Sequence, residues 1–236
     1  MWDFEQGEVL AFDKPLRWTS FDLVAKVRYN LCRKLGKKKL KVGHSGTLDP
    51  LATGVVIVCT GKKTKLIENL QYDVKEYVAT MQLGATTPSY DMEKEVDATY
   101  PTEHITRALV DETIPQFLGE QWQVPPMFSA VQINGKRAYE LARKGQEVEL
   151  KPKLLKIDEI EVLSFDEKAM LLTIRVVCSK GTYIRALARD IGERLHSGAY
   201  LTALRRTRVG DTRVEDCLTI ERFLEQLNEI EYVQNE

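Results

Sequence analysis

The sequence predicts an α+β fold with a mixed, largely antiparallel central sheet flanked by helices. Strand and helix patterns follow one another irregularly, without a repeated strand-helix unit. Apolar residues alternate in Glu76 to Leu83 and again in Leu171 to Ser179, which places every second side chain on one face of a strand. Two further strands are expected, a short one at Glu8 to Phe12 and a buried β-branched one at Val55 to Val58.

Helices are indicated by capping residues followed by apolar residues at helical spacing. Thr19 and Asp22 fit a capping box, and the apolar spacing continues as far as Leu35. Two further helices are expected at Thr106 to Leu118 and from a capping Thr182 to about His196. Because no linker or repeat divides the chain, we expect residues 1–236 to form a single catalytic domain.

The segment Pro125 to Leu150 differs from its surroundings in composition. It is rich in Lys, Arg and Tyr, and Asn134-Gly135 within it is typical of a hairpin turn. We interpret the segment, about residues 125–150, as an insertion that extends from the body of the fold.

Charge is distributed unevenly, although the net charge of the chain is only −1. Residues 215–236 hold seven acidic residues and one arginine, so this acidic tail carries −6 and the first 214 residues carry +5. Basic clusters lie at Arg33 to Lys41 and at Arg205 to Arg213. Since binding to nucleic acid depends on local fields, the body of the protein is compatible with an RNA ligand. A lysine run alone is as typical of a solvated loop.

The sequence lacks the motifs that mark several classes of protein. The four cysteines are too widely spaced for a zinc knuckle, and the three histidines form no ligand pattern, so we expect no metal. Neither a dinucleotide-binding nor a complete P-loop motif is present, and we expect chemistry without a cofactor. No targeting or membrane-spanning segment is indicated, which predicts a cytoplasmic protein.

The first candidate for chemistry is Asp49, the single acid in a glycine-rich stretch from Gly43 to Gly54. An Asp-Pro pair among glycines is often only a turn. The flanking residues are apolar, however, and a carboxylate placed among them needs a partner to offset the cost of desolvation.

The second candidate lies at the junction of a strand and a helix, where Lys180 and Arg185 are close in sequence. Cations near a helix N-terminus oppose the helix dipole, which indicates an anion nearby. Lys180 is equally compatible with a solvated side chain. Arg185 lies in an apolar context and is expected to have a buried partner. Asp49 is the obvious one, because a guanidinium can bind a carboxylate through two hydrogen bonds.

Over residues 8 to about 217, the sequence strongly resembles the TruB family of pseudouridine synthases. Several of the family's motifs occur in order. They are Lys14-Pro15 with Thr19-Ser20, Gly43 to Gly54, Lys75-Glu76-Tyr77, Val124 to Ala130, Cys178 to Arg185 and Leu204 to Arg208. The resemblance implies the pseudouridine synthase fold, with residues 125–150 as an RNA-clamping thumb. Longer members carry an additional C-terminal RNA-binding domain, the PUA domain, which the acidic tail is too short to form.

The resemblance also implies roles for individual residues. Asp49 is the catalytic aspartate, Tyr77 stacks on the target base and Arg185 pairs with the aspartate. Further residues are expected to border the nucleotide or to contact RNA. The bordering residues are His44, Tyr183 and Leu204, and the RNA contacts are Lys180, Arg205, Arg206 and Arg208.

The expected reaction is the isomerisation of one uridine, position 55, in the T loop of transfer RNA, after that base is flipped out of its stack. The carboxylate could attack the sugar or base covalently, or remove a sugar proton, and the sequence leaves both routes open. The expected partner is the T arm of transfer RNA, with the protein a monomer that needs neither guide RNA nor membrane. The alternatives are a noncatalytic RNA-binding or RNA-folding module and a synthase directed by a separate guide RNA.

Overall fold

The computed structural model describes residues 2–129, 132–133, 136–138 and 150–229. The predicted α+β class is confirmed. The strands are β1 Val9–Lys14, β2 Val42–Ser45, β3 Ala52–Thr60, β4 Lys75–Leu83, β5 Ala85–Thr86, β6 Ala98–Thr99, β7 Gly119–Gln123, β8 Gln132–Ile133, β9 Lys136–Arg137, β10 Lys153–Asp166, β11 Leu171–Cys178, β12 Ala199–Val209 and β13 Thr212–Arg213. The α-helices are α1 Ser20–Lys34, α2 Ile67–Leu70, α3 Arg107–Thr113, α4 Ile184–Arg194 and α5 Ile220–Glu229. Short 3₁₀ helices lie at Gly61–Leu66, Ile114–Phe117 and Val214–Asp216.

Two compact units make up the chain. Unit 1 contains Met1–Lys75 and Arg205–Glu236, and unit 2 contains Glu76–Leu204. Strand β12 begins in unit 2 and ends in unit 1. The single catalytic domain expected from the sequence stays a prediction.

The sheet of unit 1 is built around β3, which is almost wholly buried. Antiparallel to it run β1, from Val9↔Cys59 to Lys14↔Gly54, and β2, from Val42↔Thr60 to Ser45↔Ile57. An isolated bridge between Phe12 and Leu218 is parallel, so the pairing is mixed. Helix α5 buries Phe223. Its ring packs edge-on against the ring of Phe12, with the two ring centroids 5.4 Å apart.

Helix α1 forms as the sequence predicts. The Thr19 side chain accepts a hydrogen bond from the Asp22 amide at 2.9 Å, and the Asp22 carboxylate accepts one from the Thr19 amide at 2.8 Å. This confirms the capping box and satisfies two amides at the start of the helix. Leu23, Val27 and Leu31 are fully buried along one face, and each such side chain stabilises the packing by roughly 1.5 to 3 kcal/mol.

Unit 2 contains a second set of strands in the order β12-β4-β11-β10-β7. Strand β10 pairs antiparallel with both β11 and β7. The predicted alternation in β4 is confirmed, since Tyr77, Ala79, Met81 and Leu83 are all buried. Helix α4 buries its apolar face, including Leu187 and Ile191.

Two predicted helices differ from the structure. Thr182 does not cap α4, because Tyr183 is the N-cap residue and the Thr182 hydroxyl donates to the Ser179 carbonyl at 2.9 Å. The buried side chain of Gln123 takes over the capping by accepting from the Tyr183 amide at 2.9 Å. The helix from Thr106 is also shorter than expected. It continues after α3 as a 3₁₀ turn that holds Pro115, a residue without an amide hydrogen to donate.

Most of the predicted thumb, residues 125–150, lies outside the described residues, as do Asn134 and Gly135 of its predicted turn. The strands on either side of that turn pair antiparallel, with Gln132 opposite Arg137 and Ile133 opposite Lys136. This register is the one that a two-residue hairpin turn produces. The end of the acidic tail, residues 230–236, also lies outside the described residues.

The capping box of α1 gives a testable prediction. Thr19→Ala should lower the free energy of unfolding by about 1 kcal/mol, because the helix loses a side-chain acceptor for one of its first amides. Thr19→Ser is the matched control, since it keeps the hydroxyl and should stay within about 0.5 kcal/mol of the parent. Urea unfolding of the three proteins is the measurement. Equal stability of Thr19→Ala and Thr19→Ser would contradict the role of the cap.

Candidate active site

Asp49 lies in the loop between β2 and β3, residues 46–51, which we call the Asp49 loop. Gly46 opens it with a φ of +73°, in the left-handed region that favours glycine. The Asp49 carbonyl accepts from the Ala52 amide at 3.0 Å, a turn that leads directly into β3. The carboxylate is therefore carried by a short connection between two paired strands, and Asp49 itself is half-buried.

Both neighbours of Asp49 are held by hydrogen bonds to α1 or to the segment just before it. The Ser20 hydroxyl donates to the Leu48 carbonyl at 3.2 Å and accepts from the Leu48 amide at 2.9 Å. On the other side of Asp49, the Pro50 carbonyl accepts from the Arg17 amide at 2.7 Å. Ser20 and Leu48 are buried, so little water competes for these hydrogen bonds.

The guanidinium of Arg206 is the largest support of the Asp49 loop. It donates to the carbonyls of Val55 at 2.7 Å, Gly46 at 3.0 Å and Thr47 at 3.4 Å. Only 1% of Arg206 is exposed. The RNA-binding role predicted for Arg206 does not fit this burial. Its side chain instead joins β3 to the start of the Asp49 loop.

Gly54 permits this arrangement. Its φ is +109°, and a Cβ atom there would lie 2.1 Å from the Arg206 carbonyl oxygen. Any larger residue would force the backbone at Arg206 away from β3. The glycine-rich stretch singled out in the sequence thus serves, at this position, the close approach of two backbone segments.

A buried ammonium lies in the electrostatic field of Asp49. Lys14 is 0% exposed, and its Nζ donates to the carbonyls of Trp18 at 2.6 Å and Pro15 at 3.0 Å. Burial lowers the pKa of Lys14 from 10.5 to about 8. The nearby Asp49 carboxylate has the opposite effect and raises this pKa, but by less. The charges of Lys14 and Asp49 therefore stabilise each other within unit 1.

His44 lies in β2, two residues before Gly46. Burial lowers the pKa of His44, and the nearby charge of Arg206 lowers it further. Its imidazole is therefore neutral at neutral pH. Within the described part of the chain, the buried Nδ1 atom of His44 has no hydrogen-bond partner. Such an atom is costly to bury and is suited to a ligand.

Arg185 lies in unit 2, at the start of α4, and is 5% exposed. Its Nη2 donates to the Phe128 carbonyl at 2.8 Å and its Nη1 to the Ser89 carbonyl at 3.2 Å. The Nε atom is 3.8 Å from Oδ2 of Asp91, a buried acid that the sequence did not indicate. The expected burial of Arg185 is confirmed. Its pairing with Asp49 stays a prediction.

Tyr77 and Tyr183 are also fixed within unit 2. Tyr77 is 8% exposed near the start of β4, next to Glu76, whose carboxylate accepts from Arg175 at 2.6 and 3.0 Å. The backbone of Tyr183 is held by the Gln123 amide side chain described above, which also donates to the Tyr183 carbonyl at 3.2 Å. Leu204 is half-buried in β12. The roles predicted for these residues stay predictions.

The other predicted RNA contacts are more accessible than Arg206. Lys180 is exposed in the turn before α4. The Arg205 side chain is 42% exposed and binds the Asp13 carboxylate through two hydrogen bonds, of 2.8 and 3.2 Å. Arg208 donates to the Gly210 carbonyl at 2.9 Å. Partly exposed guanidinium and ammonium groups of this kind are suited to phosphate oxygens.

The described residues show neither a cluster of metal ligands nor a membrane-spanning helix. They contain no group of three or more His, Cys, Asp or Glu side chains that could hold a metal ion. No helix in that part of the chain is long and apolar enough to cross a bilayer. The four cysteines are free thiols, of which Cys59 and Cys178 are buried.

Comparison with known families decides the identification. The model described as TruB family pseudouridylate synthase (N terminal domain) matches residues 33–184, and the model described as tRNA pseudouridylate synthase B C-terminal domain matches residues 185–235. The chain belongs to the TruB family. It is a pseudouridine synthase, an isomerase, and the resemblance inferred from the sequence motifs is confirmed.

Relatives match this TruB family member over almost its whole length. A protein of Phocaeicola vulgatus named tRNA pseudouridine synthase B is 67% identical over 99% of this chain and 100% of its own. One of the same name from Flavobacterium johnsoniae is 51% identical over 95% of this chain and 98% of its own.

Solved structures of related proteins support the fold. A chain in the structure titled "Crystal Structure of a Cbf5-Nop10-Gar1 Complex" is 28% identical, with a TM-score of 0.70. The match covers 97% of the present chain and 58% of that one. A second, in "Structure of H/ACA RNP bound to a substrate RNA containing 2'-deoxyuridine", is 27% identical with a TM-score of 0.68, over 97% of this chain and 57% of that one.

The buried ammonium of Lys14 predicts a pH dependence of stability. Its pKa in the folded protein, about 8, lies below the ordinary 10.5. Between these values the unfolded chain binds the proton and the folded chain does not, so the free energy of unfolding should rise with pH. Relative to Lys14→Met, the parent should gain about 1.4 kcal/mol per pH unit, up to about 3 kcal/mol at pH 10.5. Urea unfolding of both proteins is the measurement, and a difference that does not change with pH would contradict it.

A substitution of Arg206 is expected to lower the catalytic rate without weakening RNA binding to the same extent. Arg206→Lys keeps the charge but cannot donate to three carbonyls in one plane, so the Asp49 loop should lose its position. We expect the single-turnover rate to fall about 100-fold, or about 2.7 kcal/mol, with the Kd for RNA within about fivefold of the parent. Arg205→Lys, on the exposed neighbour, should leave the rate within about threefold. An unchanged rate in Arg206→Lys would show that the loop does not need this support.

Proposed function

We propose that this TruB family member isomerises uridine 55 in the T loop of transfer RNA, with Asp49 as the catalytic carboxylate and no cofactor. The observation that carries the proposal is the Asp49 loop. It holds one carboxylate; one neighbour of that residue is fixed by buried hydrogen bonds to α1, and the other by a backbone hydrogen bond to Arg17. The substrate follows from the relatives, which are named tRNA pseudouridine synthase B.

The reaction needs no redox partner or transferred group. The bond between N1 of the base and C1′ of the sugar breaks, the base turns, and C5 bonds to C1′. The C5 proton is lost and N1 gains a proton, so the product is an isomer of the substrate. One ionised carboxylate suffices, either as a nucleophile toward the sugar or base, or as a base toward a sugar proton.

The target uridine has to leave the stack of the RNA loop before Asp49 can reach it. We propose that Tyr77 stacks on the flipped base and that Arg185 pairs with Asp49. Tyr183 and Leu204 border the same nucleotide. His44 is neutral and has a buried Nδ1 atom that lacks a described partner, so it is suited to a hydrogen bond with the opened RNA loop.

Phosphate contacts are proposed for Lys180, which is exposed, and for Arg205 and Arg208, which are partly exposed. They set the register of the RNA and carry no sequence information. Purified protein, as a monomer and with no other RNA present, is expected to form pseudouridine in an unmodified transfer RNA transcript. A requirement for a separate guide RNA would contradict this proposal.

The central prediction concerns Asp49 itself. Asp49→Asn keeps the shape of the side chain and removes its charge, so turnover should be abolished while the Kd for transfer RNA stays within about tenfold, or about 1.4 kcal/mol. Asp211→Asn, on an exposed acid of the same unit, is the control and should retain full turnover. Multiple turnover by pure Asp49→Asn would exclude Asp49 as the catalytic group.

Arg185 gives a second prediction, in which Asp91 supplies the control. Arg185→Lys loses the planar geometry that binds a carboxylate through two hydrogen bonds, so the single-turnover rate should fall about 100-fold. Asp91→Asn removes the acid that lies 3.8 Å from Arg185 and should cost less than about tenfold. Circular dichroism checks that both variants fold. If Asp91→Asn costs as much as Arg185→Lys, then Arg185 acts through Asp91 rather than through Asp49.

A further inference from the structure

A second basic feature of unit 1 lies at the opposite end of β3 from Asp49. It is an open cleft with a strongly positive lining, which we call the lysine cleft. Its charged residues are Lys37, Lys39, Lys41, Lys62, Lys65 and Glu5. Five lining residues thus carry an ammonium group and one carries a carboxylate, and a cleft lined by one sign of charge concentrates the field.

The walls of the lysine cleft are fixed by the backbone. Lys41 directly precedes β2, and its carbonyl accepts from the Gly61 amide at 2.9 Å. Gly61 begins the 3₁₀ helix Gly61–Leu66, which carries Lys62 and Lys65. Its φ is +53°, and a Cβ atom there would lie 2.2 Å from the Glu5 carbonyl oxygen. The Lys41–Gly61 hydrogen bond therefore holds the two basic segments together, and the glycine at position 61 lets the backbone at Glu5 approach them closely.

The lysines differ in how far they are neutralised. Lys37 forms an ion pair with Glu5, and Lys62 donates to the Gln6 side chain at 2.7 Å. The exposed side chains of Lys39, Lys41 and Lys65 form no ion pair with a described residue. Three neighbouring positive charges without an acid repel one another, and an anion would relieve that repulsion.

Strand β3 sets the distance between the lysine cleft and Asp49. Val42, next to Lys41, lies opposite Thr60 at the end of β3, whereas the Asp49 loop leads into Ala52 at its beginning. Eight steps of about 3.3 Å separate Ala52 from Thr60, or roughly 26 Å. The lysine cleft is therefore distant, along β3, from the loop that carries the carboxylate.

We propose that the lysine cleft binds the phosphodiester backbone of the substrate RNA, roughly 25 Å from the target uridine. The proposal rests on the proposed function, because the same RNA has to occupy both sites. Flexible ammonium groups bind phosphates as point charges and read no base edges. Even at the spacing of about 3.4 Å per strand of B-form DNA, a stem of five base pairs is shorter than 25 Å, and the rise of an A-form RNA stem is smaller still. A hairpin with such a stem is therefore expected to fall short of the lysine cleft, whereas a whole transfer RNA is long enough to span the distance.

The test uses one triple variant, Lys39→Gln with Lys41→Gln and Lys65→Gln, and two RNAs. A charge-matched control replaces three exposed lysines of unit 2 by Gln, namely Lys153, Lys156 and Lys168. The Kd is measured over a range of salt concentrations for unmodified transfer RNA and for its T-arm hairpin of five base pairs. Each protein also carries Asp49→Asn, so binding is measured without turnover. Single-turnover rates at saturating RNA are then compared in the Asp49 background.

For whole transfer RNA, the cleft variant is expected to bind on the order of 30-fold more weakly. The slope of log affinity against log salt should become shallower by about 2 to 3, one unit for each lost phosphate contact. The Kd of the cleft variant for the hairpin should stay within about twofold of the parent's Kd. Its single-turnover rates at saturating RNA should be unchanged on both RNAs. The control triple variant should bind both RNAs within about threefold of its parent.

The proposal is overturned if the cleft variant binds whole transfer RNA normally, if it weakens both RNAs equally, or if the control variant loses as much affinity. Failure of the proposed function has a different signature. In that case the parent forms no pseudouridine in transfer RNA, whatever the cleft variant does to binding.

Discussion

The buried guanidinium of Arg206 is the interaction on which the geometry of unit 1 depends. Its three hydrogen bonds join the carbonyl of Val55 in β3 to those of Gly46 and Thr47 in the Asp49 loop. A buried cation is costly unless its donors are satisfied, and here backbone carbonyls supply the acceptors. The same group therefore stabilises the sheet and fixes the loop that carries the catalytic candidate.

The surrounding residues follow from that constraint. Gly54 is needed because the Arg206 backbone approaches β3 too closely for a side chain. The buried charges of Lys14 and Arg206 create a positive field at one end of unit 1, and the Asp49 carboxylate offsets it at Lys14. His44 stays neutral in the same field. A half-buried carboxylate beside satisfied cations is a preorganised arrangement, in which little has to move when substrate binds.

Local sequence patterns predicted the parts of this arrangement that depend on neighbours in the chain. The capping box of Thr19 and Asp22, the alternation in β4 and the buried β3 were all visible in spacing alone. Asp49 was visible because one acid lay among glycines and apolar residues. Motif order identified the TruB family, and the confirmed burial of Arg185 was expected from its apolar context.

Features that the sequence did not predict have nonlocal causes. The resemblance grouped Arg206 with Arg205 and Arg208 as RNA contacts, and no strand was predicted over β12. In a strand, Arg205 and Arg206 face opposite sides, so that Arg206 is buried while Arg205 is partly exposed. Thr182 was expected to cap α4, but Gln123, 60 residues away, satisfies the Tyr183 amide instead. Asp91 likewise approaches Arg185 only through tertiary structure.

The most direct test of the account is a map of pseudouridine in transfer RNA from cells that lack this protein. The cells should be complemented with the parent gene or with Asp49→Asn, expressed at equal levels. Pseudouridine at position 55 of the T loop should be lost in the deletion, be restored by the parent and remain absent with Asp49→Asn. Persistence of that pseudouridine in the deletion, or its restoration by Asp49→Asn, would contradict the account.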